Sequence, residues 1–196
     1  MTMLRSYLIR KLSSWVKPIM IAKKKCGNSK KLSHVRIGST TVITGEESLE
    51  LNDHTYIGQY NFIDASSGVN IGEGCQITNY VSILTHSSHH AIRLYGRNYV
   101  NVPASEKLAY NRADVKIGAY TFIGPHVVIM PGSRIGKGCI VSAFSYVDGE
   151  YPDFSIISGQ PAKVIKSTKD ADALFLKEHP ELETHYNAWA NKKEGI

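Results

Sequence analysis

The sequence predicts an all-β chain wound as a parallel coil, and three observations predict it. Aliphatic residues recur at a step of six, running Ile117, Ile123, Ile129, Ile135, Val141 and Val147 without a break. A second residue, usually small, sits two positions before the next aliphatic one, as Thr41, Cys75, Val81, Thr121, Val127, Ser133, Cys139 and Ser145 do. Glycine follows the aliphatic residue at Gly38, Gly58, Gly72, Gly118, Gly124 and Gly136. A helix repeats near 3.6 and a plain strand at 2, so a period of six reads as a short strand plus a turn. Residues two apart share one strand face. The large and small residues therefore both point inward, as a narrow interior packed in layers requires. Three sides close one turn, and Gly118 to Gly136 is one such step of eighteen. This is a repeat architecture.

Taken in chain order, residues 1–33 come first. Leu4, Leu8, Leu12, Trp15 and Ile19 fall at helical spacing with basic residues between them, and Pro18 ends or kinks the segment. Such a segment can lie on an anionic membrane surface through residues 1–25, or it can cap the open end of the coil. The coil occupies 34–166. Its early sides read Ile37, Ile43 and Leu49, then Leu51, Ile57 and Ile63, then Ile71, Ile77 and Ile83. After Ile83 the ladder stops, and it resumes near Val115. The excursion 85–114 opens Thr85-His86-Ser87-Ser88-His89-His90 and contains Arg93 and Tyr110. A loop this long inside a compact domain is usually functional. A histidine at the exit of a rigid ladder is well placed for proton transfer. Beyond the coil, 167–196 reads as two short helices separated near Pro180, carrying Leu174, Phe175, Leu182, Tyr186 and Trp189.

Composition narrows the function. The formal charge of +6 is local: residues 1–45 hold ten Lys and Arg and no acid, while the rest nets −4. No glycine–aromatic motif accompanies the basic segment, so no nucleic-acid partner is expected. No run of eighteen apolar residues exists. With no secretory signal pattern, a cytoplasmic enzyme, peripheral at most to the inner face of a membrane, is expected. Cys26, Cys75 and Cys139 follow no metal or disulfide spacing and read as reduced structural thiols.

The histidine-headed excursion His86-Ser87-Ser88-His89-His90-Ala91-Ile92-Arg93 resembles that of the galactoside and maltose O-acetyltransferases, which write it His-x-x-His-His with an arginine three residues on. The closing stretch Gly159-Gln160-Pro161-Ala162-Lys163-Val164-Ile165-Lys166 resembles the G-x-P-x-[KR]-x-[IV]-[KR] with which hexapeptide-repeat acyltransferases finish their coil. Polysaccharide and lipopolysaccharide O-acetyltransferases share these features. The resemblance covers about residues 37–166 and implies a left-handed β-helix, a homotrimer with sites between subunits, and acetyl-coenzyme A as co-substrate. It implies His86 as the catalytic base; direct transfer is expected because no cysteine or serine beside His86 forms a recognisable nucleophile motif, and an exposed coil N–H is expected to face the developing oxyanion. It places the coenzyme near Ser142 and Ala143, with Lys163 and Lys166 at its phosphates.

Asn61 lies where the sugar enzymes carry a catalytic asparagine, yet counting slots points it inward, where it would be a satisfied core amide. His89, His90 and Arg93 are expected to face the acceptor. Three departures matter: Ser142-Ala143-Phe144 replaces a Gly-Ala-Gly, Asp148-Gly149 replaces a Thr-Lys, and the N-terminal segment is basic where the sugar enzymes have an acidic one. The function expected is O-acetylation of a sugar hydroxyl in surface polysaccharide or lipopolysaccharide synthesis. Alternatives are a streptogramin-type antibiotic or amino-sugar N-acetyltransferase and, using His86, His89 and His90 as zinc ligands, a γ-carbonic-anhydrase-like metalloenzyme. No metal is expected.

Overall fold

Stacking of like upon like organises the chain, which is described by a computed structural model over residues 18–25 and 31–191. The parallel registers align one aliphatic residue per face per turn. On the first face Ile37, Ile57, Ile77, Ile123, Val141 and Ile157 lie one above another. On the second the column is Ile43, Ile63, Ile83, Ile129 and Val147. On the third it is Leu51, Ile71, Ile117, Ile135 and Tyr151. All but Ile43 are buried, most of them completely. At about 1.5–3 kcal/mol for each side chain so buried, this triple column dominates the stabilising energy.

The turns are not equal. The first face repeats after twenty residues from Ile37 to Ile57 and from Ile57 to Ile77, but after eighteen from Ile123 to Val141 and sixteen from Val141 to Ile157. The extra residues gather at the corner between the second and third faces, where Gly45 and Gly68 adopt positive φ. The sequence period is thus kept on the faces and broken at one corner, and the long excursion leaves from that corner.

Turns approach so closely that side chains are excluded at specific points. A Cβ on Gly118 would lie 2.4 Å from the backbone nitrogen of Lys137 in the next turn. Another corner collects aromatic rings at left-handed residues. Tyr60, Tyr80, His126 and Phe144, all near φ +60°, stack with centroids 5.2, 4.9 and 4.8 Å apart.

The ends are closed differently. Strand Met20–Lys25 folds back antiparallel on Lys31–Gly38 and covers the free edge of the first face. Part of the 1–33 segment is therefore a strand, and Ile19 is exposed next to it. The helical reading over Leu4, Leu8, Leu12 and Trp15 lies outside the described residues. Asp53 fixes the first turn to the second, its Oδ1 accepting the backbone N–H groups of Ser33, His34 and His54 at 3.2, 2.7 and 3.0 Å. Burial works to raise this carboxyl, but those N–H groups outweigh it and bring it down to about 2.

At the far end, antiparallel Ser155–Gly159 and Ala162–Ser167 close the first face. Helices α1 (Thr168–Glu178) and α2 (Glu183–Ala190) follow, joined through Pro180–Leu182 as the sequence predicts. Buried Lys137 donates to the Ala190 carbonyl at 2.8 Å. Trp189 stacks on Tyr120 at 4.6 Å and on Phe154 at 5.8 Å. The excursion 85–114 is ordered as well: His86–Ser87 pairs antiparallel with Asn111–Arg112, and a short helix Ala91–Tyr95 and 3₁₀ turns fill the space between.

Gly138 has φ +63° and a Cβ there would meet the Phe154 ring at 2.8 Å. Gly138→Ala should cost about 1–2 kcal/mol and lower Tm by roughly 2–8 °C in thermal unfolding followed by circular dichroism. Because the Asp53 carboxyl is depressed when folded, its contribution is present above the unfolded carboxylate range and is lost as pH falls through about 4 to 2. Urea unfolding of Asp53→Asn between about pH 5 and about pH 2.5, which spans most of that range, should show a shallower fall in stability than the parent chain.

Candidate active site

The corner that breaks the period holds the titratable pair of most interest. Asp64 ends strand Phe62–Asp64 and lies in register above Thr44. Its side chain is 2% exposed. A buried carboxylate is costly unless paired and hydrogen-bonded, and here both oxygens are saturated. Oδ1 accepts the Ser66 N–H at 3.1 Å and the Thr44 hydroxyl at 3.3 Å. Oδ2 accepts the Thr85 hydroxyl at 2.9 Å, the Thr85 N–H at 3.2 Å and His86 Nδ1 at 2.6 Å. Burial pushes the Asp64 carboxyl up, but the donors of Ser66 and Thr85 overcome it and hold the group well below the usual carboxylate range. Asp64 is therefore an anion, and His86 Nδ1 carries a proton.

That arrangement fixes the tautomer. With Nδ1 donating to Asp64, Nε2 of neutral His86 has a free lone pair, and among the described residues it has no protein partner. The imidazole is 43% exposed at the mouth of the corner. Its orientation is fixed from the other side by Tyr110, whose ring stacks on it at 5.7 Å and 13°. A neutral imidazole with an inward carboxylate and an outward nitrogen can take a proton from an approaching hydroxyl or amine.

The other expected residues are distributed differently. Asn61 is 2% exposed; its amide donates to the Thr78 carbonyl at 2.9 Å and accepts the Val81 N–H at 2.7 Å. It ties two turns together in the core, and the partner that orients His86 is Asp64 instead. The three histidines of the excursion do not converge as zinc ligands would. His86 Nδ1 turns to Asp64, His89 Nδ1 to the Ser87 hydroxyl at 2.7 Å, and His90 Nδ1 to Arg93 at 3.0 Å. His89, His90 and Arg93 are exposed on the excursion.

His34, Asp53 and His54 bring ligand atoms within 4.8 Å of one another, but the two rings stack parallel at 8°. Their in-plane lone pairs then run side by side, and the cluster reads as the lock between the first turns described above.

Ser142, Ala143, Lys163 and Lys166 gather at the last turns. The Ser142 N–H donates to the Ile157 carbonyl at 2.8 Å, and Lys163 and Lys166 lie in the strand paired with that segment. Both lysines are exposed, and among the described residues neither forms an ion pair. Ser142 and Ala143 follow strand Ile140–Val141, at the corner between the first and second faces, so they and His86 occupy different corners of one coil.

Asp64, Thr85, Tyr110 and Arg112 complete the site, and sequence reading did not single them out as functional. The available signal was the gap of eight rather than six between Ile63 and Ile71, which marks the corner where Asp64 sits.

The family model described as bacterial transferase hexapeptide (six repeats) matches residues 114–149. A probable acetyltransferase of Mycobacterium tuberculosis is 29% identical over 134 residues, 68% of this chain and 42% of the relative. A putative lipopolysaccharide biosynthesis O-acetyl transferase of Escherichia coli, WbbJ, is 29% identical over 133 residues, 68% of this chain and 67% of the relative. The chain thus spans less than half the length of the first of these. The crystal structure of a hexapeptide-repeat-containing acetyltransferase from Vibrio cholerae superposes with a TM-score of 0.60 at 20% identity, covering 70% of this chain and 72% of that one. The coil is accordingly the left-handed β-helix.

Asp64→Asn would present an amide N–H to His86 Nδ1, favouring the tautomer with the proton on Nε2. Acyl transfer by this variant should fall by about 10²–10⁴-fold in kcat, the range expected for losing a general base. Steady-state kinetics beside a circular dichroism spectrum would decide it. A fall of less than about threefold in a folded variant would contradict the base assignment.

Proposed function

From the premise that this chain carries the bacterial transferase hexapeptide repeat, we propose that it is an acetyl-coenzyme A-dependent O-acetyltransferase acting on a saccharide hydroxyl. The observation that carries the reading is the Asp64–His86 pair at 2.6 Å, with Nε2 turned outward at the exit of the ladder. Nε2 takes the proton of the acceptor hydroxyl as the oxygen attacks the acyl carbonyl. The new C–O bond forms as the C–S bond breaks, and the proton leaves His86 for the thiolate. Asp64 stays ionised throughout and steadies the transient imidazolium. Acetyl-coenzyme A supplies the activated acyl group. The exposed cations Lys163 and Lys166 suit its phosphates, and Ser142 and Ala143 offer backbone beside them.

His86 and this coenzyme-binding group lie on different corners, so one subunit does not bring them together. A homotrimer in which one copy's excursion meets a neighbour's last turns would do so. The exposed Val42 and Phe62 on the face leading to His86 support that contact, whereas the third face presents Glu50, Asn70, Lys116 and Arg134. Likeness to WbbJ, a putative lipopolysaccharide biosynthesis O-acetyl transferase, favours a surface-saccharide acceptor. Work at the inner face of a membrane would suit the basic residues 1–25.

Isothermal titration calorimetry should give saturable acetyl-coenzyme A binding at one site per subunit. His86→Ala should keep that binding and lose transfer to saccharides by about 10²–10⁴-fold. An inability of the parent chain to bind acetyl-coenzyme A would refute the reading.

A further inference from the structure

The base of the excursion places a second charged group beside His86. In the antiparallel pair that closes it, Arg112 is the residue directly opposite His86. Directly opposed residues hold their Cβ atoms about 4.5–5.5 Å apart on one side of a hairpin. Tyr110, two residues before Arg112, is on that same side. Its ring stacks on the imidazole at 5.7 Å and carries the Arg112 guanidinium 4.7 Å from its centroid. Imidazole, phenol and guanidinium form one packed group at the mouth of the site.

Of the other charges of the excursion, Arg97 and Glu106 form no ion pair among the described residues, and the remaining three are used locally. Arg93 meets His90, Lys107 meets Tyr99 and the Val102 carbonyl, and Asp114 is paired with Arg134. Arg112 is exposed, and among the described residues its guanidinium has neither an ion pair nor a hydrogen bond. A guanidinium held over an aromatic ring has lost some of its rotamer freedom and keeps N–H donors available. Its fork matches a carboxylate or a phosphate, which it can bind with two parallel hydrogen bonds. It shares the Tyr110 ring with the imidazole and stands opposite His86 in the hairpin.

We infer that Arg112 receives an anionic group of the acceptor, a phosphate or a carboxylate, while the acceptor hydroxyl meets His86 Nε2. This rests on the reading of His86 as the base and narrows its substrate to an acidic saccharide. Arg112 is then the residue that selects charged over neutral acceptors, and Tyr110 positions it.

The test compares kcat/KM for matched pairs: N-acetylglucosamine against its 1-phosphate and its 6-phosphate, and glucose against glucuronate. The ratio of anionic to neutral acceptor should be about ten to a hundred in the parent chain, the discrimination of one charge-assisted hydrogen-bond pair. It should collapse toward one in Arg112→Gln and recover in part in Arg112→Lys. The phosphate and carboxylate pairs separate the two sources of charge. A merely structural Arg112 would slow both members of each pair alike and leave the ratio unchanged, which would overturn the inference, as would a ratio near one in the parent chain.

Should acetyl-coenzyme A bind while no saccharide is acylated, the acceptor class of the proposed function fails, and the anion site is judged by binding alone. Inorganic pyrophosphate titrated into the full chain labelled with ¹⁵N-arginine should shift the Arg112 Nε–Hε resonance, identified by its loss in Arg112→Gln. That shift should be saturable and exceed those of Arg93 and Arg97. No shift, or equal shifts at all three arginines, would overturn the site.

Discussion

In-register stacking of parallel strands is the constraint on which everything else rests. Each short strand can hydrogen-bond only to the turns above and below it, so identity of spacing matters more than the strength of any single strand. The columns led by Ile37, Ile43 and Leu51 satisfy that demand on three faces at once. A slip of one residue in any turn would point its aliphatic side chain at solvent and break two neighbouring registers. The repeat thus specifies the fold strongly although most strands of the coil are only two or three residues long.

The same regularity explains how a buried acid can be kept. Asp64 directly follows an inward isoleucine, and the register that stacks Ile63 beside Ile83 brings Thr85 and His86 over its carboxylate. Five donors from Thr44, Ser66, Thr85 and His86 replace the lost water. A desolvated carboxylate this well paired is rigid, and that rigidity passes to the imidazole. The ladder is therefore the device that fixes the imidazole, and the excursion leaves the coil beside it.

Much of this was legible in the sequence, and the reasons differ residue by residue. The columns could be read because Ile117 to Val147 repeat without interruption, and of the inward slots Cys75, Val81, Thr121, Val127, Ser133, Cys139 and Ser145 are buried as counted, while Thr41 in the first turn is half-buried. His86 was legible because the ladder stops beside it. Asn61, counted as inward, is inward and bonds the core of the neighbouring turn, and the carboxylate that touches His86 is that of Asp64. That contact could not be read, since Asp64 and His86 are brought together only by the register of a twenty-residue turn. Leu49 and Leu51 both continue an aliphatic pattern and hide the two additional residues that make the turn so long. Nor do the left-handed corners announce themselves: Tyr60, Tyr80, His126 and Phe144 are not the residues a turn rule would choose. Their stacking offsets the cost of that backbone.

The pairing of His86–Ser87 with Asn111–Arg112 gives the excursion its own closed base. Everything between those two strands hangs from a four-residue neck, and the coil beneath carries its registers past the gap, since Ile83 stacks on Ile129 as if nothing intervened. Closing a longer or shorter loop over such a neck changes its entropy only logarithmically with length. Chain diversification at this point is therefore nearly independent of the stability of the rest. The corner behaves as a socket: the neck strands stay fixed to the wall of the coil, and the insert between them is exchangeable.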